Sequence, residues 1–196
     1  MSHYFSENSN NIKSNEVIVH VKIRDKEFKF YTDHGVFSRK GLDFGSRLLI
    51  ESVLDESSNQ VLDLGCGYGP IGIIYKAFIP KADVFMLDIN NRAVDLSKKN
   101  SIENKVKVNI EQNDSLENIN MIFDLILTNP PIRAGKSVVY KFFKESYNHL
   151  CPGGKLVFVM NKKHGAQSAK NECEKIFASV EVVNKKSGYY IIRCRK

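Results

Sequence analysis

The segment Thr128-Asn129-Pro130-Pro131-Ile132 has the residue types of a turn that presents hydrogen-bond acceptors. Two consecutive prolines fix the backbone and remove two N–H donors. Pro130 also pushes Asn129 into an extended conformation. The Asn129 side-chain oxygen and the Pro130 carbonyl are then available on a rigid support. An exocyclic amine has two N–H bonds to give, and two acceptors that take them also fix the direction of its nitrogen lone pair. Attack on an electrophilic carbon becomes in-line, and positioning of that kind supplies much of the acceleration. Asn129, Pro130, Pro131 and Ile132 are therefore the candidate catalytic residues. Arg133 and Lys136 follow directly, on the expected first turn of a helix, where exposed cations can hold a phosphate or stand as solvated surface charges. Lys162-Lys163-His164 and Lys185-Lys186 extend the basic track.

A second constellation lies upstream. Val61-Leu62-Asp63-Leu64-Gly65-Cys66-Gly67-Tyr68-Gly69-Pro70 reads as a strand, a glycine-rich turn and a helix start. The glycines permit positive φ and close approach of a ligand to the backbone, and Pro70 suits the first helical position. Asp88 follows 25 residues after Asp63, at the expected end of the next strand, where an acid can accept both hydroxyls of a ribose. The spacing G-x-G-x-G, with Asp63 ahead of it, differs from the G-x-G-x-x-G that rests a pyrophosphate on a helix N-terminus. A carboxylate there would repel a pyrophosphate but could anchor an ammonium group. That favours a cofactor carrying a free amino acid, as S-adenosylmethionine does. Asp114, after the third strand of the alternation, is placed to accept from an adenine amino group; the competing role is a helix N-cap.

The elements that must position these residues can be read from periodicity. Residues 17–23 and 27–31 alternate around Arg24-Asp25-Lys26 and predict a β-hairpin. A helix is expected at about 45–54. From residue 60 onward short apolar strands alternate with amphipathic helices: strands at about 60–64, 83–88, 105–111, 122–128, 154–160, 179–185 and 189–195, and helices near 70–79, 91–101, 136–150 and 165–177. Such alternation means βαβ units and a largely parallel sheet. Only Lys186-Ser187-Gly188 separates the last two strands, too short for a crossover helix, so they form an antiparallel hairpin at the sheet's end. The expected fold is α/β: a Rossmann-like, seven-stranded, mostly parallel sheet of the class I methyltransferase type, with an N-terminal β-hairpin extension. Residues 1–15 read as a flexible leader and 16–196 as a single methyltransferase domain.

Taken together, these segments resemble the RsmC-like ribosomal RNA small-subunit guanine-N2 methyltransferases of the methyltransferase small domain type, as a stand-alone member. The most specific pieces are Asp33-His34-Gly35-Val36-Phe37-Ser38, Leu42-Asp43-Phe44-Gly45-Ser46-Arg47-Leu48-Leu49, Asp63 to Gly72, and Thr128 to Lys136. The resemblance implies that Asp63, Gly65, Asp88 and Asp114 bind S-adenosylmethionine, with Gly67, Gly69, Ile89, Asn113 and Asn129 completing the cofactor set. It implies that Asn129-Pro130-Pro131-Ile132 holds the target amine, and that Phe37 and Ser38 close over the pocket beside Arg133 and Lys136 on the substrate side. Two departures stand out. The additional N-terminal substrate-selecting domain of many family members is not expected here. The fourth motif residue is Ile132, where enzymes acting on adenine or on glutamine carry a stacking aromatic.

Composition agrees with this reading. Of 196 residues, 42% are hydrophobic and 26% charged, with a net charge of +7. Residues 133–196 carry 14 Lys/Arg against 4 Asp/Glu, whereas residues 1–132 carry 15 against 18. A basic C-terminal third suits a polyanionic partner, here RNA, and the competing explanation is a solvated surface. The four scattered cysteines, Cys66, Cys151, Cys173 and Cys194, form no zinc-binding or disulfide pattern, so no metal is expected. With neither an apolar span nor a signal peptide, the protein is expected in the cytoplasm, without a membrane partner, as a monomer or homodimer. The nearest rival functions are N-methylation of adenine or of a glutamine amide. A nicotinamide oxidoreductase is disfavoured by the glycine spacing, and a non-catalytic RNA-binding protein by the intact Asn129-Pro130-Pro131.

Overall fold

Alternation along a strand puts Val61 on one face and Leu62 on the other, yet both are fully buried. A sheet whose two faces are both buried needs helices on each side, and the computed structural model has them. It describes residues 13–114, 116 and 119–196. The chain runs β1 (Val17–Ile23), β2 (Lys26–Thr32), α1 (Phe44–Val53), β3 (Gln60–Leu64), α2 (Pro70–Phe78), β4 (Asp83–Asp88), α3 (Asn91–Glu103), β5 (Asn109–Gln112), β6 (Phe123–Thr128), α4 (Lys136–Asn148), β7 (Leu150–Asn161), α5 (Ala166–Cys173), β8 (Ser179–Lys186) and β9 (Tyr189–Arg195).

Among the described residues the strands form a two-stranded hairpin, β1-β2, and a seven-stranded sheet in the order β5-β4-β3-β6-β7-β9-β8. Five neighbouring strands, β5 to β7, pair in parallel; β9 runs antiparallel to both β7 and β8. The antiparallel strand is thus one place in from the edge, not at it. Ser187 and Gly188, with φ of 51° and 81°, make the two-residue turn that feeds it, as primed hairpin turns require. The expected fold class is the one observed.

One core lies between the sheet and α1, α2, α3 and the hairpin, where Leu49, Ile73 and Leu96 meet Val61, Leu127 and Val159. The other lies under α4 and α5, where Phe143 and Ala169 meet Leu62, Ile126 and Phe158. Phe143 and Phe158 pack with centroids 4.7 Å apart.

The hairpin does not join the sheet. It docks on α3 through two asparagines one turn apart. Asn100 accepts from Tyr31 N at 2.7 Å and donates to Tyr31 O at 2.9 Å. Asn104 accepts from Lys29 N at 3.0 Å and donates to Lys29 O at 2.8 Å. One helical turn of four residues advances about 6 Å, close to the roughly 6.8 Å between alternate strand residues. The side-chain amides therefore stand in for a neighbouring strand. Asn100 Nδ2 also donates to Tyr68 O at 2.8 Å, in the glycine turn.

Three boundaries differ most from the sequence expectation. β5 begins at Asn109 rather than near 105, because Lys105 (φ 54°) and Val106 turn back on the end of α3. α5 stops at Cys173 instead of 177, and Ile176 and Phe177 donate back to the Cys173 carbonyl. β7 starts at Leu150, opposite Phe123, and its register then shifts before resuming with Lys155 opposite Leu125. Of the expected leader, residues 1–12 lie outside the described residues. Ser14 Oγ and Asn15 N donate to the Asp33 carboxylate at 2.7 and 2.6 Å. No helix among the described residues is long and apolar enough to cross a membrane.

Candidate active site

Parallel α/β sheets gather loops at the carboxyl ends of their strands, and ligands bind there. Here the loops after β3, β4, β5 and β6, with the segment before α1, enclose a cavity of about 740 Å³. That is ample for a nucleoside-sized ligand.

The turn after β3 is fixed from both sides. Gly65 N and Cys66 N donate to Leu87 O at 2.8 and 2.9 Å. Thr128 Oγ1, at the end of β6, donates to Leu64 O at 2.7 Å. Asp88, at the end of β4, accepts from Gly67 N at 2.7 Å and Asn90 N at 2.9 Å, one through each oxygen. Each carboxylate oxygen keeps a further lone pair, which leaves capacity for two ribose hydroxyls. Burial pushes the Asp88 pKa up, against the lowering effect of those backbone donors.

The glycines divide into two kinds. Gly67 has φ of 59° and open space where a Cβ would project, so bare backbone faces the cavity. Gly69 does not line it: a Cβ there would lie 2.9 Å from Ile73 Cδ1 and from Ser97 Oγ. Gly69 thus serves close packing of α2 on β4 and α3. Asp63 also lies behind the wall, fully buried, with Oδ2 accepting from Gly72 N at 2.9 Å. Its other oxygen is buried without a hydrogen-bond partner. Burial first, and the Asp88 charge in addition, push its pKa up to about 7.

Ile89, Asn113 and Asp114 do line the cavity. Asn113 N donates to Asp88 O at 3.1 Å, tying the two loops together. Asp114 is exposed on the rim. On the opposite rim, the segment before α1 is held by α3. Asn90 Nδ2 donates to Gly35 O at 2.8 Å and Arg92 Nη1 to His34 O at 2.8 Å. Asp33, within 3.6 Å of Arg92, keeps its carboxyl below the ordinary range: burial raises it, but the Ser14, Asn15 and His34 donors and the Arg92 charge outweigh that. This support presents Phe37, 45% exposed, and Ser38 over the opening.

Asn129, Pro130, Pro131 and Ile132 form the far wall. Pro131 has φ of −74° and ψ of 74°, and Ile132 N donates to Pro130 O at 2.8 Å. This is an inverse γ-turn, tighter than an ordinary proline turn. It takes one lone pair of the Pro130 carbonyl and leaves the second. Asn129 Nδ2 donates to Ser46 Oγ at 2.9 Å, so its oxygen remains as an acceptor. Arg133 lines the cavity mouth, whereas Lys136 stands outside it on the first turn of α4; both are exposed. Arg133, Lys136, Lys162 and Lys163 make no ion pair among the described residues.

Among the residues that line this cavity and to which sequence reasoning gave no role are Asp43, Ser46 and Tyr189. Asp43 caps α1, accepting from Ser46 N at 3.1 Å. The spacing of Asp43 and Ser46 signals a helix N-cap, but nothing local to it reveals that β6 ends alongside.

Comparison with known proteins follows this geometry. The methyltransferase small domain family matches residues 27–193. An uncharacterized Bacillus subtilis protein, YbxB, is 46% identical over 99% of this chain and 98% of its own length. Ribosomal RNA small subunit methyltransferase C of Mannheimia succiniciproducens is 38% identical over 69% of this chain, which spans 42% of that relative. Among solved structures, the T. thermophilus 16S rRNA N2 methyltransferase RsmC, in complex with AdoMet and guanosine, superposes with a TM-score of 0.84 at 25% identity. That match covers 96% of this chain and 52% of the other.

Proposed function

The chain belongs to the methyltransferase small domain family, and from that premise we propose that it methylates the exocyclic N2 amine of a guanine in ribosomal RNA, acting in the cytoplasm through residues 16–196. Its cofactor is S-adenosylmethionine, which supplies a sulfonium-activated methyl group when bound. The residues present fit that group: Asp88 for the ribose hydroxyls, the bare backbone at Gly65 and Gly67 for close approach, and Ile89, Asn113 and Asp114 around the adenine.

The observation that carries the reading is the pairing of two acceptors on one wall of that cavity, the Asn129 side-chain oxygen and the remaining lone pair of the Pro130 carbonyl. Two acceptors hold both N–H bonds of an amine and leave its lone pair one direction in which to attack. The proton leaves to water after transfer, so no side-chain base is required. Ile132 offers no aromatic face, and Phe37, exposed on the opposite rim, is the stacking surface for the base. Arg133 and Lys136 hold phosphates flanking the extruded nucleotide. The similarity to RsmC, solved with AdoMet and guanosine, supports guanine as the target.

Nucleoside mass spectrometry of ribosomal RNA from a deletion strain and its parent tests this. N2-methylguanosine should fall by one site per ribosome in the deletion strain and return on complementation. Unchanged N2-methylguanosine, or loss of another methylated nucleoside, overturns guanine N2 as the target.

A further inference from the structure

The first turn of α1 reaches Asn129 from 83 residues earlier in the chain. Asn129 Nδ2 donates to Ser46 Oγ at 2.9 Å and lies 3.5 Å from Asp43 Oδ1. A hydroxyl can serve either end of a side-chain amide, because it both donates and accepts. An ionised carboxylate only accepts, so the amide end beside Asp43 must be the NH2. Asp43 cannot drift away, since the same oxygen caps α1 through Ser46 N at 3.1 Å. Gly45, between the two, lies so close to Tyr189 that a Cβ would sit 3.0 Å from the ring, which fixes the turn from behind. Ser46 itself is 4% exposed and packed in place.

We infer that Asp43 and Ser46 are positioning residues that hold the Asn129 amide in one of its two flips, with nitrogen toward α1 and oxygen toward the target amine. The inference deepens the methyl-transfer reading and rests on it for its kinetic consequence. The reversed flip would set Oδ1 against the Asp43 carboxylate. It would also turn an NH2 donor on the amine, where it would engage the lone pair needed for attack. The flip thus decides whether Asn129 assists transfer or opposes it, and the deciding charge lies on a different element.

Asp43→Asn separates this role from capping, because Asn and Asp cap helices about equally well but a neutral amide accepts either flip. Ser46→Ala removes the hydroxyl and Ser46→Thr keeps it. Two measurements suffice. The first is the side-chain amide signal of Asn129 in the free protein, identified by its loss in Asn129→Asp and followed for solvent exchange. The second is single-turnover methyl transfer to RNA from the deletion strain at saturating S-adenosylmethionine, with cofactor affinity from calorimetry. Slow exchange in the wild type should be lost in Asp43→Asn and Ser46→Ala. Transfer should slow about tenfold or more, as misplaced reacting groups do, at unchanged cofactor affinity, and Ser46→Thr should restore both. An Asn129 signal unmoved in both variants overturns the inference. So does a fall in cofactor affinity at unchanged rate, which would make Asp43 a cofactor ligand. Wild-type protein that methylates no guanine would sink the functional reading alone, because the amide signal still decides the flip.

Discussion

Asp88 Oδ2 accepts the Gly67 amide at 2.7 Å, so the carboxylate that ends β4 also shapes the glycine turn that follows β3. Cofactor recognition and loop geometry therefore share one side chain. Asp88→Ala removes a ribose acceptor and frees Gly67 N together with Asn90 N. Calorimetry should show S-adenosylmethionine binding weakened by about 1.5–3 kcal/mol, the range for hydrogen bonds to a charged group. A folded variant with wild-type affinity would exclude Asp88 from the site.

Loss of Asn129 should act on transfer rather than on binding. Asn129→Ala leaves the γ-turn at Pro131, the glycine turn and Asp88 in place, so the amine keeps only the Pro130 carbonyl. The lone pair can then swing out of line, at a cost on the order of a hundredfold in single-turnover rate. Asn129→Asp retains acceptor capacity and should keep more activity than Ala. Equal, wild-type rates in both variants would remove Asn129 from the chemistry.

Asp63 gives the fold a pH dependence of unusual sign for a carboxylate. Its pKa rises from the ordinary 3.8 to about 7, first through burial and then through Asp88. Protonation therefore favours the folded state. The contribution is complete below about pH 4 and is lost as the pH rises toward 7, on the order of 4 kcal/mol by linkage. Asp63→Asn keeps an acceptor for Gly72 N and cannot ionise. Denaturation midpoints measured from pH 4 to 8 should fall more steeply in the wild type than in Asp63→Asn. Parallel curves would mean that Asp63 is ionised throughout.

The exposed cations around the cavity mouth should give RNA binding a steep salt dependence. Neutralising Arg133 or Lys136 should flatten the slope of log affinity against log salt by about one counterion each. Slopes unmoved by both substitutions would return these residues to an ordinary solvated surface.

The split between what was legible in the sequence and what was not follows the range of the forces involved. Val61, Leu62, Ile126 and Val157 announce buried strands because burial on two faces requires continuous apolar runs. The short link through Ser187-Gly188 dictates a hairpin, since no helix fits. Asp88, Gly67 and the Asn129-Pro130 turn reach the cavity because strand ends and glycine turns place them there by local geometry. Asp63 and Gly69 sit in the same motif and have the right residue types, but they face inward. A period of two and a helix start determine that orientation only once α2 packs on β4. Asp43 and Ser46 were not identifiable, because their meeting with Asn129 depends on how α1 lies across the sheet. No local spacing encodes a contact over 83 residues.

The asparagine clasp on β2 has a consequence for how the molecule opens. Asn100 holds Tyr31 by both backbone groups and the Tyr68 carbonyl with the same NH2. The hairpin cannot breathe away from α3 without disturbing a carbonyl of the glycine turn. Hairpin, α3 and turn should therefore open as one cooperative unit, and a ligand that steadies the turn should steady the hairpin too. Amide exchange at Lys29 and Tyr31, although both residues lie outside the cavity, should slow when the cofactor binds, and Asn100→Ala should uncouple them.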